Sequence, residues 1–190
     1  MIKRILLGVI TLTLCACQPK TQFLNNDIQG AGLATRVPLN TDDGQPLQLN
    51  APHPAQVTVV FFGFTQCPDV CPTTMGEMKL VKQMLGADAE KLRVVLVSID
   101  PERDTVAVLK QYTEAFDPRF IGASTSPQQT KILAKDLNIS YEKVGSGPFY
   151  TMKHSANSYL VDPQGRFRVS TPYGTKPESI AHDVKQLLAE

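Results

Sequence analysis

Apolar positions along this chain follow two rhythms. Residues 56–64, Q-V-T-V-V-F-F-G-F, form a nearly unbroken run rich in β-branched and aromatic side chains. That is the pattern of a strand buried on both faces. Residues 91–100, K-L-R-V-V-L-V-S-I-D, repeat it. Between them the period lengthens. Met75, Met78, Val81, Lys82 and Leu85 predict a helix over 72–85, with Pro72 tolerated in its first turn and Gly86 ending it. Asp104 is then expected to cap a helix carrying Val106, Leu109, Tyr112 and Phe116. There follow a short strand at 120–124, a helix opening on Ser126-Pro127, and strands at 139–144 and 156–161. A D-P-Q-G turn leads into F-R-V-S, and an amphipathic helix closes the chain over 177–189. Upstream, residues 39–49 read as strand, Asp-Gly turn, strand.

A βαβ half is thus followed by an αββα half, with a hairpin added in front. Both crossovers are long enough for parallel pairing. The pattern predicts one domain over residues 31–190, an α/β sandwich of thioredoxin-like type with helices on both sheet faces. G-S-G-P at 145–148 lies between strands and lacks the lysine and following helix of a phosphate loop, so it reads as a loop tip.

The first residues read differently. Lys3 and Arg4 precede an apolar run over 5–14 that is too short to be a stable bilayer span. L-C-A-C follows, resembling a bacterial lipoprotein cleavage box with Leu14 and Ala16 ahead of Cys17. Residues 1–16 are therefore expected to be a signal peptide, Cys17 the lipid-bearing residue, and the polar stretch to residue 30 a tether. The mature chain would then sit on the periplasmic side of a bacterial membrane. Gln18, which follows, carries no charge that would select one membrane. The formal net charge of +1 leaves no electrostatic footprint for nucleic acid. A single near-neutral domain favours a monomer.

Of four cysteines, Cys15 would leave with the signal and Cys17 would be acylated, so only Cys67 and Cys71 remain as thiols. They lie in F-F-G-F-T-Q-C-P-D-V-C-P-T-T-M, between a buried strand and a helix. A disulfide closing so small a loop would be a poor staple. A helix N-terminus favours thiolate, which suits redox chemistry. Three intervening residues, rather than the usual two of a redox pair, also let both sulfurs converge on one ion. Pro68 and Pro72 stiffen the loop. Thiolates are soft ligands that suit Cu(I) or zinc, and a mononuclear site needs a further donor. Of the histidines, His53 lies between prolines and His182 on the exposed side of the last helix. His154 enters the strand expected to face the cysteine loop. Topology favours His154 and leaves its role open.

This segment resembles the signature of the Sco/SenC family of copper-binding proteins. D-I-Q-G near residue 27, the D-G hairpin, S-I-D-P-E-R-D-T at 98–105 and H-S-A-N-S-Y-L-V-D-P-Q-G at 154–165 resemble that family in the same order. The resemblance implies a thioredoxin-like fold and copper held by Cys67, Cys71 and His154. It also implies a partner, the copper-accepting subunit of cytochrome c oxidase, and it leaves room for a periplasmic copper donor. One departure is Lys153, where family members often carry an acidic residue before the histidine. A positive neighbour is expected to shift the balance between Cu(I) and Cu(II).

Met75 reads as core rather than ligand, and Met152 likewise. Asp69 sits inside the loop as an outer partner or a solvated turn residue. Asp100, Arg103 and Asp104 follow the second strand near the expected mouth, where Asp104 reads as a helix cap rather than as a partner of the metal ligands. The leading function is a metallochaperone whose Cys67–Cys71 disulfide is an off state. The rival is a thiol-disulfide reductase acting on a partner's cysteines. Peroxidase chemistry is disfavoured, because Thr65 is present but the cysteine loop contains no arginine.

Overall fold

The computed structural model describes residues 22–190. At its centre lie β4 (Val57–Gly63) and β5 (Leu92–Ser98), paired in parallel. Apart from Thr58, Arg93 and Ser98 both are apolar, because both faces are covered. Val57, Val59 and Phe61 turn to one face with Val94 and Leu96, while Val60 and Phe62 turn to the other with Val95 and Val97. The first face is packed by α1 (Val70–Leu85), α2 (Val106–Glu114) and α4 (Pro177–Leu188). The second is packed by α3 (Pro127–Asp136), through Leu133, Ala134 and the following Leu137.

Among the described residues the sheet has eight strands; with β1 (Asn26–Asp27), β2 (Leu39–Thr41) and β3 (Pro46–Leu47) the order is β1-β10-β9-β4-β5-β6-β2-β3. Here β6 is Ile121–Ser124, β9 is Ser158–Val161 and β10 is Phe167–Thr171. β6 joins β5 in parallel, and β9 lies antiparallel to β4. The expected front hairpin forms as β2 (Leu39–Thr41) and β3 (Pro46–Leu47) and covers the edge of β6. The result is the thioredoxin-like sandwich.

Three local expectations are corrected. The first is that Asp104 does not cap α2. Thr105 does, its side chain accepting from the Val108 amide at 3.3 Å. The second is that residues 139–144 do not extend the main sheet. Among the described residues β7 (Tyr141–Val144) pairs only with β8 (Thr151–His154), forming a separate hairpin that places Tyr141 opposite His154. The G-S-G-P segment is its tip, with a short 3₁₀ turn over Gly147–Phe149. The third concerns the tether, which is not free along the described part of its length. β1 (Asn26–Asp27) pairs with β10, and the fully buried Asp183 carboxylate accepts from the Leu24 and Asn25 amides at 2.7 and 3.0 Å. The expected signal peptide and Cys17 lie outside the described residues.

Candidate metal centre

β4 ends at Gly63, and the chain turns through residues 64–69 into α1. The Cys67 amide donates to the Phe64 carbonyl at 3.2 Å, closing a turn that aims Cys67 back across the helix entrance. α1 begins at Val70, two residues earlier than its apolar spacing implies, so Cys71 sits in the first turn. The Cys71 amide, free of an intrahelical partner there, points at the Cys67 sulfur 3.4 Å away. Both cysteines are free thiols. Cys67 is half-buried, while Cys71 is 1% exposed. Gly63 makes room for it: a Cβ on Gly63 would lie 2.5 Å from the Cys71 sulfur.

The environment of Cys71 contradicts the simple helix-terminus expectation. Burial pushes this thiol well above its ordinary range. The nearby Cys67 and Asp104 add to that, and a backbone hydrogen bond at Phe64 only partly offsets it.

His154, the last residue of β8, hydrogen-bonds through Nδ1 to the Ser155 carbonyl at 2.8 Å. A carbonyl only accepts, so in the neutral ring Nδ1 carries the proton and Nε2 keeps its lone pair for a metal. The ring meets Phe64 edge-on, with centroids 6.0 Å apart. One ligand atom from each of Cys67, Cys71 and His154 lies within 4.8 Å of the others. Two donors bound at about 2.0–2.3 Å to a shared ion lie within about 4.6 Å of each other. Small side-chain rotations therefore close this group on one soft ion, and two sulfurs with one imidazole suit copper as well as zinc.

The other histidines do not join it. His53 contacts the Arg93 guanidinium at 2.5 Å, and burial together with that cation holds its pKa below the usual value. His182 contacts Asp183 at 3.1 Å. Met75 is fully buried among the core residues of α1. Met152 is half-buried and lines a shallow cleft of about 220 Å³ with Tyr141 and Ile99. Asp69 is exposed in the loop. Lys153 is exposed and alternates with His154 along β8, so it projects from the opposite face of the hairpin.

Two residues expected near the mouth support the site through contacts that spacing does not reveal. Asp104, 1% exposed, accepts from the Thr65 amide at 3.2 Å, the Thr65 hydroxyl at 2.6 Å and the Ser98 hydroxyl at 2.6 Å. It braces the loop two residues before Cys67. Arg103 brings to the cysteine loop the arginine that the loop itself lacks. Its hydrogen bonds run to Gln66, Asp100 and the Tyr150 carbonyl, and none among the described residues reaches a sulfur.

A profile of the SCO1/SenC family matches residues 33–189. The chain belongs to that family. Among relatives of this SCO1/SenC protein is an SCO2-like protein of Rickettsia felis, 33% identical over 132 residues. That match covers 68% of this chain and 64% of the relative, so the chain spans less than two thirds of that protein's length. Bradyrhizobium japonicum ScoI, whose structure has copper bound, is 35% identical with a TM-score of 0.74. The likeness covers 82% of this chain and 99% of that one. A SCO1/SenC family lipoprotein from Bacillus anthracis is 26% identical with a TM-score of 0.66, covering 83% of this chain and 100% of that one.

Proposed function

We propose that this protein is an extracytoplasmic copper metallochaperone. It would hold copper between Cys67, Cys71 and His154 and pass it to the copper-accepting subunit of a membrane oxidase. The observation that carries this reading is the convergence of one soft-ligand atom from each of three residues on two separate backbone segments. A resident structural metal would be fully enclosed. Here Cys67 and His154 are only half-buried, and three ligands leave a position open for a partner's donor. Ligands can then be exchanged one at a time.

Lipid attachment at Cys17 fits this role, and the Bacillus anthracis relative is described as a lipoprotein. Among the described residues no helix is long and apolar enough to cross a membrane. Six residue steps separate Cys17 from Phe23, at most about 22 Å of extended chain, so a lipid on Cys17 would keep the domain close to the bilayer. The direct test is a Cu(I) titration of the reduced mature protein, followed by mixing with an apo dithiol acceptor. The reading requires one copper per chain and its transfer. A protein that binds no copper, or that releases none, contradicts it.

A second reading is favoured by the unequal exposure of the cysteines. Cys67 is half-buried and Cys71 fully buried, the arrangement of an attacking thiol with a resolving one behind it. Thiol-disulfide reductase activity toward a copper protein's cysteines would use the same sulfurs without His154.

A further inference from the structure

Two separate segments supply the ligand atoms. Cys67 and Cys71 stand on the β4–α1 junction. His154 stands on the β7–β8 hairpin, whose ladder hydrogen bonds, among the described residues, run only between its own two strands. No strand pairing among them therefore joins the histidine strand to the strand that leads to the cysteines; β8 reaches the main sheet along the chain, at β9, four residues after His154.

Arg103, from the β5–α2 loop, touches both segments. Its Nη1 donates at 2.9 Å to the Gln66 side-chain oxygen, beside Cys67, and at 2.9 Å to the Tyr150 carbonyl, on the histidine hairpin. Its Nε donates to Asp100, which also accepts the Tyr150 hydroxyl at 2.6 Å. The guanidinium carbon stands 3.6 Å from the Tyr150 ring centroid and 5.9 Å from that of Phe64, the ring that meets His154 edge-on. Among the described residues the remaining nitrogen, Nη2, is buried without a partner. A cation that tolerates an unused buried donor is held in place by its other contacts.

We propose that Arg103 is a positioning residue for the metal centre, clasping the cysteine loop to the histidine hairpin through Gln66 and Tyr150. This rests on the copper-binding reading above and deepens it. Copper affinity then depends on a side chain that is not itself a ligand. Lysine cannot replace it, because one ammonium lacks the planar fork that serves Asp100, Gln66 and the Tyr150 carbonyl together. Thiol chemistry does not need the clasp, since Cys67 and Cys71 are held by one local turn.

The test compares wild type with Arg103→Lys and with Gln66→Leu, the latter at an exposed position where folding is safe. Three quantities are read: Cu(I) affinity against a chromophoric chelator, amide hydrogen exchange over residues 141–154 in the metal-free protein, and the thiol-disulfide equilibrium with glutathione. Each variant is expected to weaken Cu(I) binding about tenfold, as loss of an outer partner of a metal ligand does. Exchange in the hairpin should quicken, and the glutathione equilibrium should stay within about twofold of wild type. Unchanged copper affinity in both variants overturns the proposal. So does a parallel loss in the thiol equilibrium, which would make Arg103 general scaffolding. Wild type that binds no copper overturns the copper reading itself, and the clasp with it.

Discussion

Gly63 lies directly beneath Cys71: a single methyl group there would sit 2.5 Å from the sulfur and 3.3 Å from the Leu96 side chain. The last residue of β4 is thus glycine for reasons of space, since its backbone is in the ordinary extended region. Gly63→Ala is expected to push the Cys71 side chain off its rotamer. Overpacking of this kind costs about 1–3 kcal/mol. Denaturant unfolding should show that loss, and Cu(I) titration should show weakened binding, because the displaced atom is one of the three proposed ligand atoms. Unchanged copper affinity would mean that the sulfur has room to move.

Asp104 carries a pH dependence. Its burial raises the carboxyl pKa above the ordinary value, and the bonds from Ser98 and Thr65 only partly oppose this. The folded state therefore holds the proton more tightly than the unfolded chain does. The associated stabilisation is complete below the unfolded pKa of about 3.8 and is lost as pH rises through the raised folded value. Asp104→Asn removes that slope while keeping an acceptor for Thr65. Unfolding free energies measured across the acid range, wild type minus variant, should fall with rising pH and then level off. A flat difference contradicts the assignment.

Asp183 ties the N-terminal segment down. Besides the two amides it accepts the Asn25 side chain at 2.7 Å, and it is fully buried. Asp183→Ala leaves these donors to find water, at a cost of about 1–3 kcal/mol. Hydrogen exchange should rise over residues 24–28 and leave residues 57–63 protected. If residues 24–28 stay protected, β1 pairing alone holds the segment.

Lys153 was expected from its position in sequence to tune the copper charge state. The structure puts it on the other face of the hairpin from His154, in solvent, where water and salt screen it. Lys153→Glu should therefore change Cu(I) affinity by less than about threefold, a surface-charge effect of well under 1 kcal/mol. A larger change, seen in the same chelator competition, would mean that the lysine reaches round to the site.

The chain discloses its sheet more readily than its site supports. The apolar runs around Val59 and Val95 announce β4 and β5 because both faces of each are covered, and Ser126-Pro127 announces α3 by capping chemistry. The β7–β8 hairpin was hidden. Thr151–His154 offers one apolar side chain among polar ones, and its partner strand lies beyond a glycine-rich tip. Asp104 and Thr105 are both good caps. Which one caps is decided by Ser98 and by Thr65, whose position beside Asp104 follows from the tertiary fold. The Cys71 thiol departs from the helix-terminus expectation for the same reason. A helix terminus is visible in sequence, but the depth at which the sulfur sits is not. Cys67, Cys71 and His154 were legible as candidates from ligand chemistry and family resemblance; their mutual approach within 4.8 Å was not.

The most direct measurement is Cu(I) affinity together with the Cys67–Cys71 thiol-disulfide equilibrium, in wild type and His154→Ala. Removing a true ligand should weaken copper binding by about 100-fold or more, beyond the 10–100-fold typical of an outer partner, while the thiol equilibrium barely moves. Copper affinity that survives the loss of this imidazole would contradict the three-ligand centre and leave a dithiol whose work is electron transfer alone.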